Sequence, residues 1–568
     1  RILGTAVILV AATVALWQWG PFGSDPGSNN GPDRPVLAVL PFENLGQEQD
    51  AYFAEGITDE IRSRLAMIRQ LGVISRTSMR AYEDTRKTVR EIGDELGSDY
   101  VLEGTIRWER SEGSGKVRIT PRLIRVSDDT QWGTANYPEE VTGSFVLQAD
   151  IAATIAEALD VTRALSEPEA IDRRRADAVD AYPAFLQGME KLQAPGFSAE
   201  SIELGVQMFG RAISHAPAFA LAHARLASLH ARMYHYGFDR TPERLSQARS
   251  EADEAIRLQP ELAEAHLALG HYYYWGTRDY ALALSAFDAA RQRAPDDSEI
   301  LLATAYVKRR QGDFEGAIDL FEKVQRHSPR DPNVAVGLGE TLGVLRRHAE
   351  AEQSLRRAIA LAPDDSYPYT ELALLQLRWR GDAAAAREIL DGMPPVKSSE
   401  VCRVGHLTEL FAGRLEDALA RLGDCPTEVI EAGAFYIPAE LYEGMTLRLM
   451  GEDGKAGERF EAAATILRSR LDVTPEDARL HGSLGLALAG LGEAEAAVRH
   501  GRRAVELYPL QKDALEAPVQ VINLAMIHAM LGQSAAAREQ IDAALAVPSI
   551  LTKAWLDGDP RWGEMTGP

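Results

Sequence analysis

Few residues in this chain are spaced as a reacting site would need. The stretch "GSGKV" at Gly113 ends like a phosphate-binding loop, but Arg110 stands where the first glycine is required and Val117 where Ser or Thr would meet magnesium. Such a loop works by aiming backbone N–H groups at phosphate from a strand-to-helix turn, whereas "RSEGSGK" reads as the turn of a hairpin. No HExxH, GxSxG or kinase catalytic-loop pattern occurs. His223 and His230 lie seven apart with His235 beyond, and His266 and His271 follow. Their phase places His223, His230 and His266 at packing positions, so neither a metal nor a cofactor is implied. Two cysteines in 568 residues exclude a disulfide scaffold and a thiolate-rich zinc site. Cys402 opens one helix and Cys425 ends its antiparallel partner, with Gly413 almost midway, so a Cys402–Cys425 disulfide fits the spacing. Outside the cytoplasm it would contribute roughly 2–4 kcal/mol.

The elements that would position these residues fall into sections. Residues 1–19 hold "ILGTAVILVAATVALWQW" after Arg1, 18 residues without a charge, close to the length needed to cross a bilayer as a helix. Trp17 and Trp19 suit the headgroup level, and Arg1 favours a cytoplasmic amino-terminal side. The expectation is a single-pass protein of the cytoplasmic membrane, with residues after about 20 in the periplasm or outside the cell. The missing initiator Met suggests a longer native chain with a cytoplasmic part before Arg1. Residues 20–35, rich in Gly, Pro, Ser and Asn, read as a flexible linker. A small α/β domain follows over 36–165: a buried-strand run at Val36–Leu40, a helix over Tyr52–Ile68, a strand from Val73, a short helix from Val89 stopped by Gly97, a hairpin, and a closing helix over Gln148–Leu165. The net charge of −23 argues against nucleic acid as a partner of this portion.

From Ala181 strands disappear and a repeat near 34 residues takes over. Copies end at Pro260, Pro295, Pro329 and Pro363, spaced by 35, 34 and 34. Gly339, Ala351 and Ala358 are matched in a later copy by Gly485, Ala497 and Ala504. Small residues at those places let two helices approach closely, and each pair leaves a face that only the next pair can bury. This is the tetratricopeptide spacing, and about ten repeats are expected over 181–548, with a C-terminal tail at 549–568. The ninth, twelfth and thirteenth places of first helices usually line the concave side. They carry Arg232, then His271, Tyr274 and Trp275, then Tyr306, Arg309 and Arg310. That basic, aromatic strip predicts a protein or peptide ligand, acidic or aromatic, because Arg and aromatic side chains anchor interfaces. The alternative is that Trp275 and the tyrosines pack between helices. On the groove reading, changing Arg309 and Arg310 to Glu abolishes binding without unfolding the array.

The residues "VLAVLPFENL", "YFAEGITDEI", "VISRTS", "REIGDELGSDYVLEGTIR" and "VRITPRLI", in that order, resemble the TolB-amino-terminal-like domain of bacterial multidomain signalling proteins. The likeness runs on through "AYPAFLQGMEKL" into the repeats. It implies a mainly α fold: one transmembrane helix, a small α/β TolB-like domain and a tetratricopeptide α-solenoid. It also implies an extracytoplasmic sensor or scaffold that is not itself an enzyme. In that family a Ser/Thr kinase, an adenylate cyclase or a winged-helix domain commonly precedes the span; a pure envelope-assembly scaffold is a further alternative. Signalling through one span would favour a homodimer.

Overall fold

A computed structural model describes residues 35–47, 51–66, 68, 71–79, 82, 85–111, 114–131, 154–155, 159, 181–193 and 199–563. The expected span at 1–19, the linker up to Arg34 and most of the expected helix at Gln148–Leu165 lie outside the described residues. Among the described residues no helix is long and apolar enough to cross a membrane.

The amino-terminal unit is a mixed sheet in the order β3-β1-β4-β5-β6, with β2 also paired to β4. Its strands are β1 (Val36–Val39), β2 (Glu43–Asn44), β3 (Gly72–Val73), β4 (Tyr100–Ser111), β5 (Ser114–Arg125) and β6 (Thr130–Gln131). β1 runs parallel to β3 and β4, and parallel neighbours need crossovers. These are supplied by α1 (Ala51–Ala66), then α2 (Arg76–Met79) and α3 (Val89–Leu96). Thr88 and Glu91 form a capping box at the start of α3, and Gly97 ends it at φ 62°, the left-handed conformation that glycine adopts most cheaply. β4 and β5 make the predicted hairpin, with Lys116 opposite Glu109, which places "GSGK" at a strand-to-strand turn. Alternation along β1 sorts the core. Ala38 and Leu40 join Ile74, Ile92 and Leu96 on one face. Leu37 and Val39 on the other face join Ile57 and Ile61 of α1 in a core that continues into Phe185, Leu186 and Phe209 of the first repeat.

From Tyr182 to Leu545 the described helices fall into antiparallel pairs, ten of them, beginning with Tyr182–Gln193 against Ala199–His215 and ending with Ala517–Met530 against Ser534–Leu545. Close approach depends on small residues: a Cβ on Gly270 would stand 2.1 Å from the Phe287 ring, and one on Gly339 2.8 Å from Leu355. Ala351, Ala358, Ala497 and Ala504 are fully buried between helices. Aspartates at 279, 297, 313 and 382 cap helices of the third, fourth and sixth pairs by accepting a backbone N–H three residues on.

Two departures from the sequence reading concern the late part of the array. Strands do not vanish after Ala181: "VIEAGAFYIP" forms a hairpin of β7 (Val429–Ala432) and β8 (Phe435–Pro438). Ile430, Tyr436 and Ile437 are buried along it, and Gly433 takes a positive φ at the turn. The segment read as a tail is also part of the fold as far as Gly563. Ser549 N–H donates to Val344 O at 3.2 Å, Trp555 meets Phe411 edge to face at 4.8 Å, and Trp562 is 1% exposed. Its aromatic residues find apolar partners on earlier repeats, which a local pattern does not reveal.

Candidate interaction site

The predicted strip is assembled, and its Arg310 end is paired with acids of the same chain. Trp275 lies at the centre of its first half. His271 stacks on it with ring centroids 4.1 Å apart and planes 11° from parallel, and the Arg232 guanidinium sits over its ring at 5.4 Å. The helix Ala263–His271 continues through π turns over Tyr272–Thr277, a local widening common where side chains must be re-aimed. Tyr274 packs between Trp275 and Tyr280, each centroid 6.1 Å away. In the second half Tyr306 meets Phe321 edge to face, and Arg309 lies over Tyr306 at 4.8 Å while donating to Glu340 at 2.8 Å.

Arg310 ends the helix Ser298–Arg310 and finds acids about two hundred residues later in the chain. It pairs with Asp513 at 3.1 Å and with Glu516. Arg278 donates to Tyr508 Oη at 2.9 Å and reaches Glu516 at 3.4 Å. The hydroxyls of Tyr280 and Tyr508 both donate to Asp513, which is fully buried. A backbone bond fixes the register, Ala514 N–H donating to Arg310 O at 2.7 Å. The link 508–516 therefore meets the Arg310 end of the strip and supplies there the negative charge that the sequence assigned to a ligand.

The electrostatics follow from burial. Burial pushes the Glu516 carboxyl up, but Arg310 and Arg278 outweigh it and hold the group at about 2. Burial lowers His271 and His235 to about 3, so both are neutral at physiological pH. Burial also raises the Tyr280 and Tyr508 hydroxyls, with nearby acids adding to the effect, so both stay protonated donors.

Two corrections result. Arg309 and Arg310 are not open cations, and changing both to Glu would set like charges against Glu340, Asp513 and Glu516 inside the fold. The change cannot leave the array unaffected. His271 and Tyr274 are buried, whereas Trp275 and Tyr306 are half-buried against neighbouring rings and Arg232 is half-buried over Trp275.

The other singled-out residues are placed as follows. His223 and His266 each bring Nε2 to the carbonyl of the proline six residues earlier, Pro217 at 3.0 Å and Pro260 at 2.8 Å. His481 repeats this with Pro475. His230 lies 3.0 Å from Arg244. Among the described residues no group of three or more His, Cys, Asp or Glu is arranged to hold a metal ion. Cys402 and Cys425 are free thiols here; burial, and then the neighbouring Cys402, push the Cys425 thiol up to about 12. Sequence reasoning missed Arg278, Tyr280, Tyr508, Asp513 and Glu516. The available signal was the link 508–516, longer than the links 216–219, 259–262, 294–297 and 328–331 between the first five helix pairs and carrying two acids.

The helix pairs, their glycine and alanine contacts and their period make comparison with known repeats direct. The family model described as "Tetratricopeptide repeat" matches residues 272–332, 302–366 and 452–512. The chain carries tetratricopeptide repeats. Over 276 residues it is 29% identical to "Putative adenylate cyclase 3" of Rhizobium meliloti (strain 1021), an alignment covering 47% of this chain and 46% of that protein. Over 272 residues it is 26% identical to "Protein CTR9 homolog" of Arabidopsis thaliana, covering 45% of this chain and 23% of that protein. The chain thus spans less than half the length of either relative. Among solved structures, a thermophilic tetratricopeptide protein of Thermus thermophilus aligns with TM-score 0.30 and 17% identity, covering 35% of this chain and 99% of that one.

Proposed function

We propose that this chain is the interaction and scaffold portion of a membrane-anchored bacterial signalling protein, whose effector is a nucleotide cyclase preceding Arg1. The observation that carries the reading is the joint presence of tetratricopeptide repeats, which bind proteins, and a 276-residue likeness to a protein named as an adenylate cyclase. The apolar run Ile2–Trp19 supports an anchor, and the TolB-like strings from Val36 support a periplasmic setting. The core shared between the α/β unit and the first repeat lets the unit orient the array. On this reading the chain itself does no chemistry, and the array binds a protein or peptide through surface other than the Arg309 and Arg310 guanidiniums, which acids of the same chain occupy.

The test is cyclic nucleotide formation by the native protein purified from its membrane, with and without residues 181–548. Activity that changes when the array is removed is the expected result. Absence of cyclase activity in the intact native protein would overturn the cyclase reading, and a kinase or DNA-binding output would then replace it.

A further inference from the structure

From the second helix pair to the tenth, each turn between first and second helix passes through one residue of positive φ, and in most of them it is glycine. The exceptions are Arg278 at φ 54° and Arg346 at φ 61°. A left-handed backbone costs a residue with a Cβ and costs glycine little, so arginine has no local reason to stand there. What the two side chains gain lies at the far end of the chain. Arg278 donates to Tyr508 Oη, reaches Glu516 and lies over the Tyr508 ring at 5.4 Å. Arg346 brings Nη2 to three carbonyls, Leu545 O at 3.0 Å, Val547 O at 3.2 Å and Leu551 O at 3.3 Å. Leu545 ends the last repeat helix, where unpaired carbonyls favour a cation.

The same edge of the neighbouring pairs meets the same stretch. Arg240 pairs with Glu431 at 2.6 Å, Ala514 N–H donates to Arg310 O, Ser549 N–H to Val344 O, and the Thr552 hydroxyl to Arg378 O. A Cβ on Gly312 would stand 3.4 Å from Ala514, and one on Gly381 3.4 Å from Ala554 O. On Gly413, Gly451, Gly492 or Gly532 it would meet nothing within 4 Å. The turn edge of pairs two to six is therefore covered by the later part of the chain, and that of pairs seven to ten faces open space.

Along pairs three to five this seam has no apolar core of its own. Among the described residues, the clusters that hold those pairs include nothing beyond Ile389. Only at pair six does the end of the chain join one, Trp555 packing with Leu374, Leu377 and Leu407. Elsewhere the seam joins ions, hydroxyls and backbone groups, all of which water satisfies again on opening. Ion pairs taken out of water return little net free energy for that reason, so the seam sets a register more than it adds stability.

We propose that the seam is a releasable clasp: pairs two to five and the stretch 508–551 part and close as one unit about pair six, with Arg278 and Arg346 as its catches. Closed, it withholds a basic turn edge and an acidic link from partners; open, it offers both. The clasp requires neither an effector domain nor a ligand.

The test is hydrogen exchange in the full chain at the Ala514 and Ser549 amides, which bond across the seam at separate places. In the unaltered chain both should open with equilibrium constants equal within about threefold, and at least about tenfold more readily than amides in the middle of the helix Ser298–Arg310. Arg346→Gly should speed exchange at both amides by about threefold or more, and the double variant with Arg278→Gly by about tenfold or more. Glycine suits both turns, so arginines with only a local role would give unchanged or slower exchange. That result at Ala514 in the folded Arg346→Gly chain would overturn the proposal. So would seam amides that open unequally, or no more readily than the helix, in the unaltered chain, and this comparison decides alone if the variants do not fold.

Discussion

Replacing Arg310 by Met should open the contact between the middle and the end of the array. The side chain of Arg310 is 11% exposed, and those of its partners Asp513 and Glu516 are 0% and 9% exposed. Removing one partner of a buried pair costs about 3–5 kcal/mol, because the charge left behind keeps its desolvation penalty. Here the penalty falls toward the lower end. Arg278 stays within 3.4 Å of Glu516, and the Tyr280 and Tyr508 hydroxyls still donate to Asp513. We expect about 3 kcal/mol, roughly 100-fold in the local opening equilibrium. Repeat arrays unfold in parts, so the assay is hydrogen exchange at the Ala514 amide, whose bond to Arg310 O reports the contact itself. Combining Arg310→Met with Asp513→Asn should restore much of the protection, since Glu516 keeps Arg278 as its partner and the buried carboxylate left without a cation is then gone. The pH dependence has a definite sign. Glu516 is lowered to about 2 from an ordinary 4.5, so its contribution is complete above pH 4.5 and is lost as pH falls through 2. Protection at Ala514 that changes less than about threefold in Arg310→Met would refute the reasoning.

Four further outcomes follow from the same structure. His271 and His235, lowered to about 3 by burial, must take up protons to unfold in acid, so stability should be full above pH 6.5 and fall progressively below it; thermal midpoints measured for the wild type and His271→Gln should show a shallower decline in the variant. Gly270→Ala should destabilise the third helix pair by about 1–3 kcal/mol, read by exchange at that pair, since the new methyl meets the buried Phe287 ring at 2.1 Å. Gly56→Ala should loosen the α/β unit from the first repeat, because its Cβ would lie 2.2 Å from Leu186, and faster proteolytic release of that unit is the readout. Under mild oxidation Cys402 and Cys425 should pair and lose both alkylatable thiols, stabilising the chain by about 2–4 kcal/mol; two persistently free thiols would count against it.

The parts of the fold that repeat were legible in the sequence, because the same physics recurs every 34 residues. Gly339 and Ala351 must be small for the reason that Gly485 and Ala497 must be, and a phased series exposes that reason. Gly97 was legible as a helix stop because a left-handed cap is a local requirement. What stayed hidden depends on distance along the chain. Nothing near Arg310 indicates that Asp513 answers it, so a basic strip on an acidic protein looked like an empty groove. The hairpin at 429–438 was missed for a related reason: its alternation is short, and Glu431 gains its meaning from Arg240 and Arg479, which only the fold brings together. Trp562 likewise reads as a tail residue until its apolar partners on earlier repeats are seen.

The central claim, that this chain serves as the scaffold of a larger signalling polypeptide, is tested most directly by the intact mass and amino-terminal sequence of the native protein taken from its membrane. The account predicts a polypeptide heavier by at least one domain, with cyclase-type metal-binding acids ahead of Arg1. A native chain that begins at or near Arg1 would contradict it.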